Sequence, residues 1–156
     1  MLPLLATILL MCSCSKGTTD TANAATEGRQ AKRTDMDKKP RTMMLAVGKT
    51  AFTVSLAENE TARELAARLP LRLEMTELNG NEKYASLDSP LPSSPAKVHR
   101  IEAGDVMLWG DDCLVVFYKS FDTPYSYTRI GHLDDASALA DTVGTGNVVM
   151  NLAPIP

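Results

Sequence analysis

From residue 42 onward the chain alternates short apolar runs with turn-forming clusters, the rhythm of strands rather than of long helices. Thr42-Met-Met-Leu-Ala-Val47, the pair Gly48-Lys49 and Thr50-Ala-Phe-Thr-Val-Ser-Leu56 read as a β-hairpin, in which Phe52, Val54 and Leu56 alternate with smaller or polar residues. The period then changes. Between Thr61 and Leu69 the residues Ala62, Leu65, Ala66 and Leu69 share one helical face, Thr61 and Glu64 stand at capping-box spacing, and Glu64 precedes Arg68 by four. This predicts a short amphipathic helix ended by Pro70. Leu71 to Met75 alternates strictly and predicts a third strand with one wet face.

Asn79 to Gly104 contains Pro90, Pro92 and Pro95 and reads as an extended surface loop, because proline lacks the N–H that a central strand needs. Val106 to Trp109 and Cys113 to Tyr118 flank the turn Gly110-Asp111-Asp112. The second of these runs is apolar on both faces, so it is expected to be covered on both sides. Tyr127 to Leu133 predicts another strand, Asp135 to Ala140 a second helical turn, and Asn147 to Leu152 the closing strand. The fold class is therefore mostly β, a small antiparallel barrel with two short helices.

The first 14 residues, MLPLLATILLMCSC, are almost continuously apolar and give way to SKGTTDTANAATEGRQ, which has no bulky hydrophobic residue. A helix needs about 20 residues to cross a hydrocarbon core, so the run reads as a cleaved targeting segment. Met11-Cys12-Ser13-Cys14 resembles a bacterial lipobox, with the small Ser13 ahead of the cysteine that would carry lipid. No Lys or Arg precedes the run, where a signal peptide ordinarily carries positive charge. The organisation expected is a lipoprotein signal peptide over 1–14 ending at Cys14, a flexible tether over 15–41 and one folded domain over 42–156. Such a chain would sit in a bacterial cell envelope, held to the membrane by its N-terminal lipid.

Charge divides the chain at the same place. Residues 15–41 hold seven Lys or Arg against four Asp or Glu, and residues 42–156 hold nine against fifteen. An acidic domain with no basic stripe argues against a nucleic-acid partner, whose binding depends on neutralising phosphates. The basic run Lys32 to Arg41 could touch anionic headgroups. Cys113 is the one cysteine of the folded region, so a disulfide scaffold is excluded and the hydrophobic core must hold the domain.

The order of features carries a resemblance. Glu58-Asn59-Glu-Thr61-Ala62, Leu65-Ala66, Leu69-Pro70-Leu71, Gly80-Asn81-Glu82-Lys83, Gly104-Asp105-Val106 and Leu114-Val-Val-Phe-Tyr118 together are similar to the bacterial cyclophilin-like domains, over nearly all of residues 42–152. The resemblance implies a closed cyclophilin-like β-barrel with two helices, and by itself no activity. Cyclophilins isomerise X-Pro bonds with an Arg, a Gln and an apolar floor for the ring. This domain holds no Gln, Gln30 being in the tether, and no Phe-His-Arg sequence.

Other chemistries find no motif. His99 and His132 have no companions at ligand spacing, so no metal or other cofactor is assigned. Asp111-Asp112 and Asp134-Asp135 read as turn formers and caps, there is no Gly-x-Ser-x-Gly elbow, and Cys113 reads as core. The concentration of chemistry that remains is Glu82, Tyr84, Trp109, Tyr118, Tyr125, Ser126 and Arg129, a polar and aromatic set suited to a binding cleft. A peptide- or small-molecule-binding module is the leading expectation. A diverged prolyl isomerase using Arg129, or an assembly partner of envelope proteins, are the alternatives.

Overall fold

The computed structural model describes residues 41–155; the apolar run, Cys14 and the tether up to residue 40 lie outside the described residues. Thirteen elements follow one another. They are β1 (Thr42–Val47), β2 (Thr50–Leu56), α1 (Glu60–Ala67), β3 (Leu71–Leu78), β4 (Glu82–Ser86), β5 (Ala96–Lys97), β6 (Arg100–Ile101), β7 (Asp105–Trp109), β8 (Cys113–Phe117), β9 (Phe121–Asp122), β10 (Ser126–Leu133), α2 (Leu139–Val143) and β11 (Val148–Pro154).

Eight of the strands close on themselves in the order β2-β1-β11-β3-β4-β8-β7-β10, and β10 pairs back onto β2, every pairing antiparallel. The expected closed barrel with two helices is present. Closure satisfies the backbone groups that an open sheet would leave along its edges. The seam needs a glycine. Gly131 lies opposite Leu56, and a Cβ there would stand 2.5 Å from the Ser55 carbonyl oxygen and 2.9 Å from Val54 Cγ1. A β-bulge between Arg129 and Gly131 delivers β10 to that seam.

Alternation sorts each strand into an inner and an outer face. Inside, Met43, Leu45, Val54, Val106, Leu108, Leu114, Val116, Ile130 and Leu152 are buried with Ala62 and Leu65 of α1 and Leu139 and Val143 of α2. Each such side chain contributes roughly 1.5–3 kcal/mol relative to exposure. Outside the wall a second cluster forms from Ile101, Met107, Val115, Phe117 and Tyr127. It explains why β8 is apolar on both faces, as expected from its residues.

Four details differ from the sequence expectation. Asn59, not Thr61, caps α1: its side chain accepts the Ala62 N–H at 2.8 Å, while the Thr61 hydroxyl donates to the Pro92 carbonyl at 2.6 Å. The second helix begins at Leu139 rather than Asp135, because Asp135 Oδ1 accepts the Ser137 N–H at 2.9 Å and holds that stretch as a turn. Residues 82–86, included in the proline-rich loop by the sequence reading, form β4 in the middle of the barrel wall. The loop itself carries two two-residue strands, β5 paired with β10 and β6 paired with β9. It is tied to α1 by Arg68, whose guanidinium donates to the Ser89 and Pro90 carbonyls at 2.7 Å each and meets Glu64 at 3.2 Å.

Candidate functional site

Because Lys83 and Ala85 point into the barrel, Glu82 and Tyr84 point out of it, next to the outward Cys113 and Val115 of β8. Trp109 ends β7 opposite Cys113, and Thr128 pairs with Leu108, which sets Tyr127 beside the indole. Tyr125 arrives from the segment before β10. Leu78 and Asn79 close the far side, where the chain turns through Asn79 and Gly80, both at positive φ. These residues line one open cleft of about 370 Å³.

Its walls are aromatic. The Trp109 and Tyr125 rings meet edge to face, with centroids 5.4 Å apart and planes at 89°, and Tyr127 lies 5.2 Å from Trp109 on another side. Among the described residues the exposed large hydrophobics are Leu78, Trp109 at 44%, Tyr125 at 57% and Ile155, and the first three all line this cleft. Glu82 is 9% exposed, and burial, with a smaller contribution from the Glu77 charge, pushes its carboxyl above the ordinary range. Burial together with Glu82 pushes the Tyr127 phenol up to about 12. The Cys113 thiol is raised by burial, then by Asp112 and Glu82, which favours the neutral, less nucleophilic form. Cys113 lies in the outer layer and on the cleft wall rather than in the barrel core that its apolar strand suggested.

Four of the seven expected site residues are therefore brought together: Glu82, Tyr84, Trp109 and Tyr125. Three are not. Ser126 pairs with Lys97 along β10 and β5 and lines no part of this cleft. Tyr118 faces the opposite way, its hydroxyl donating to Glu77 at 2.8 and 3.0 Å, and burial and that carboxylate raise it to about 12. There it joins Lys83, which is 0% exposed and whose ammonium donates to Glu77 and to the Gly144 and Gly146 carbonyls at 2.8 and 2.6 Å. Glu82 and Lys83, adjacent in sequence, lie on opposite faces of β4.

Arg129 lines a second cleft of about 490 Å³ between the start of α1 and residues 92–98. Its guanidinium donates to Asp105 Oδ1 at 2.8 Å, the same buried oxygen that faces His132 Nδ1 at 3.0 Å, while Oδ2 accepts the Glu102 N–H. Among the described residues no group of three His, Cys, Asp or Glu could hold a metal ion. The acidic pairs act locally, with Asp134 Oδ1 accepting the Ser55 hydroxyl at 2.6 Å and the Asp111 and Asp112 carbonyls receiving the Leu91 and Leu87 N–H groups.

Sequence reasoning missed Tyr127 and Leu78, although Tyr127 shares the alternation of Tyr125. It also missed Lys83, whose charge reads as surface until its three acceptors are known.

Residues 45–153 match the model of a family described as a cyclophilin-like family. Among solved structures, the solution structure of a hypothetical protein from Archaeoglobus fulgidus is similar with a TM-score of 0.51 and 18% identity, covering 75% of this chain and 96% of that one. At that identity it speaks for the fold alone. No curated protein matches the chain.

Proposed function

We infer, because this chain belongs to the cyclophilin-like family, that its barrel is a scaffold for binding, with the cleft of Glu82, Tyr84, Trp109, Tyr125 and Tyr127 as its ligand site. One observation carries this reading: three of the large hydrophobics left exposed on the described surface converge on a single concavity that also holds a desolvated carboxylate. Scattered exposed apolar residues are ordinary, whereas a convergent set around a polar anchor is what a ligand pocket requires. The volume falls within the usual range for small-molecule pockets, roughly 300–1,000 Å³.

The test is an NMR-detected screen of short peptides and small molecules against the protein and its Trp109→Ala variant. Ligands that shift cleft resonances and weaken about tenfold or more in the variant support the reading, on the scale of an aromatic hot spot. Ligands indifferent to Trp109 refute it.

The membrane attachment proposed for the chain rests on the N-terminal sequence. A lipid on Cys14 would hold the domain at the envelope, with the basic Lys32 to Arg41 run able to approach anionic headgroups. Metabolic labelling with an alkynyl fatty acid, lost on Cys14→Ser, checks it.

Prolyl isomerisation is the second reading, favoured by one observation: Arg129 does line a cleft, and Tyr127 contributes to it. Weighing against it, the guanidinium is committed to Asp105 and the described residues include no Gln. Acceleration of X-Pro exchange that Arg129→Ala abolishes would establish this second reading in place of the first.

A further inference from the structure

The ligand class is written in the chemistry of the cleft. We propose that it recognises a quaternary ammonium group, seated against the rings of Trp109, Tyr125 and Tyr127 with the Glu82 carboxylate as counter-charge. This rests on the binding-module reading above and specifies its ligand.

Glu82 is the first reason. The residue is 9% exposed, its carboxylate keeps only the solvent contact that the cleft gives it, and among the described residues no hydrogen bond or ion pair engages it. Carboxylates are rarely buried without a partner. The adjacent lysine cannot serve, since the Lys83 ammonium is on the inner face of β4 and occupied there by Glu77 and two carbonyls. A positive charge supplied by a ligand would complete the site.

The rings are the second reason. A cation is drawn to an aromatic face by the ring quadrupole, and more strongly where water is excluded. Trp109 and Tyr125, perpendicular to one another and both exposed, stand on the cleft wall, and Tyr127 adds a third ring.

The third reason is the rest of the lining. Besides the Glu82 carboxylate, the Asn79 amide and the phenol oxygens, the cleft is walled by rings and aliphatic side chains such as Leu78 and Val115. N-methyl groups have no donors to satisfy and match such walls, whereas a desolvated primary ammonium, as at Lys83, takes an acceptor for each of its three N–H groups. The acidic balance of residues 42–156, nine positive against fifteen negative, adds a long-range pull on cations.

Trp109 is the single tryptophan of the chain, so its fluorescence reports on this cleft alone. The full protein is titrated with choline and with 3,3-dimethyl-1-butanol, which has the same shape without the charge. We expect choline to bind about tenfold or more tightly than its neutral isostere, a difference within reach of a desolvated cation–π contact. Glu82→Gln should collapse that ratio. Tyr125→Leu, at an exposed position that leaves the core untouched, should weaken choline about fivefold and guards against misfolding of the first variant. Free choline-type cations and a phosphocholine headgroup present the same quaternary ammonium, and sedimentation with phosphatidylcholine vesicles separates the two sources.

Equal affinity for choline and the isostere would overturn the proposal while leaving the binding-module reading intact. Absence of any choline response would also overturn it, and the ligand screen would then decide the broader reading independently.

Discussion

Replacing Lys83 with Met removes a fully buried charge inside the barrel while keeping the length of the side chain. In the native protein the ammonium is 0% exposed and satisfied by Glu77 and the carbonyls of Gly144 and Gly146, which ties β4 to the loop between α2 and β11. Breaking a buried ion pair from one side costs about 3–5 kcal/mol. Two features place this case at the lower end. The Glu77 side chain is 19% exposed and keeps the Tyr118 hydroxyl and the Gly80 N–H, and the glycine carbonyls lie in an exposed loop that water can reach. The expected loss is therefore about 3 kcal/mol at pH 7, read from urea midpoints at constant slope.

The pH dependence carries a second check. Burial alone would raise the Glu77 carboxyl, but the hydrogen bonds from Lys83, Tyr118 and Gly80, with the Lys83 charge, outweigh it and hold it below the usual range. A carboxyl depressed on folding stabilises above its unfolded pKa, roughly 4.3, and that contribution is lost as pH falls through the lower folded value. Met at position 83 leaves the burial and removes the largest opposing effect, so the carboxyl moves back up. The gap between native and variant should be full at neutral pH and narrow below about pH 4. Adding Glu77→Gln should cost about 1–3 kcal/mol less than the two single changes summed. A Lys83→Met loss under about 1 kcal/mol, or a gap flat from pH 3 to 7, would refute this account of the barrel interior.

At the closing seam, Gly131→Ala should destabilise by about 3 kcal/mol and lower Tm by roughly 10 °C, since its Cβ meets backbone that cannot move aside; a thermal melt within 2 °C or so of native would contradict it. Asn59→Ala loses both the cap on Ala62 and the Nδ2 bond to the Arg129 carbonyl at 2.7 Å, for an expected cost of about 1–2 kcal/mol in urea unfolding. Glu82→Gln should leave stability at pH 7 equal or higher. A carboxyl raised on folding costs stability when ionised, from its unfolded pKa upward, so a marked drop in Tm would show that Glu82 already has a partner.

The hairpin of β1 and β2 was legible in the sequence to its last residue, because a two-residue turn and strict alternation leave one register. β8 was equally plain, since five apolar residues in a row leave no wet face. β4 was hidden: it begins with two charged residues and runs into the prolines, and nothing local tells that Lys83 will find three acceptors. Half of the cleft was readable for a geometric reason. Glu82 and Tyr84 are two apart and share a face, as do Tyr125 and Tyr127. By the same parity Tyr118, one beyond the outward Phe117, had to face the other way. Arg129 shares the outward face with Tyr127 but lies two residues further along β10, in the other cleft beside residues 92–98, which only tertiary packing reveals.

The first and last strands lie side by side, with Met43 opposite Pro154, so the polypeptide enters the barrel and leaves it at one corner. Such a domain behaves like a bead with a single eyelet. It can be spliced into a surface loop of another protein without stretching its host. Its ends can also be stitched together by a few residues, with new ones opened at Gly48-Lys49, and no strand would change neighbours.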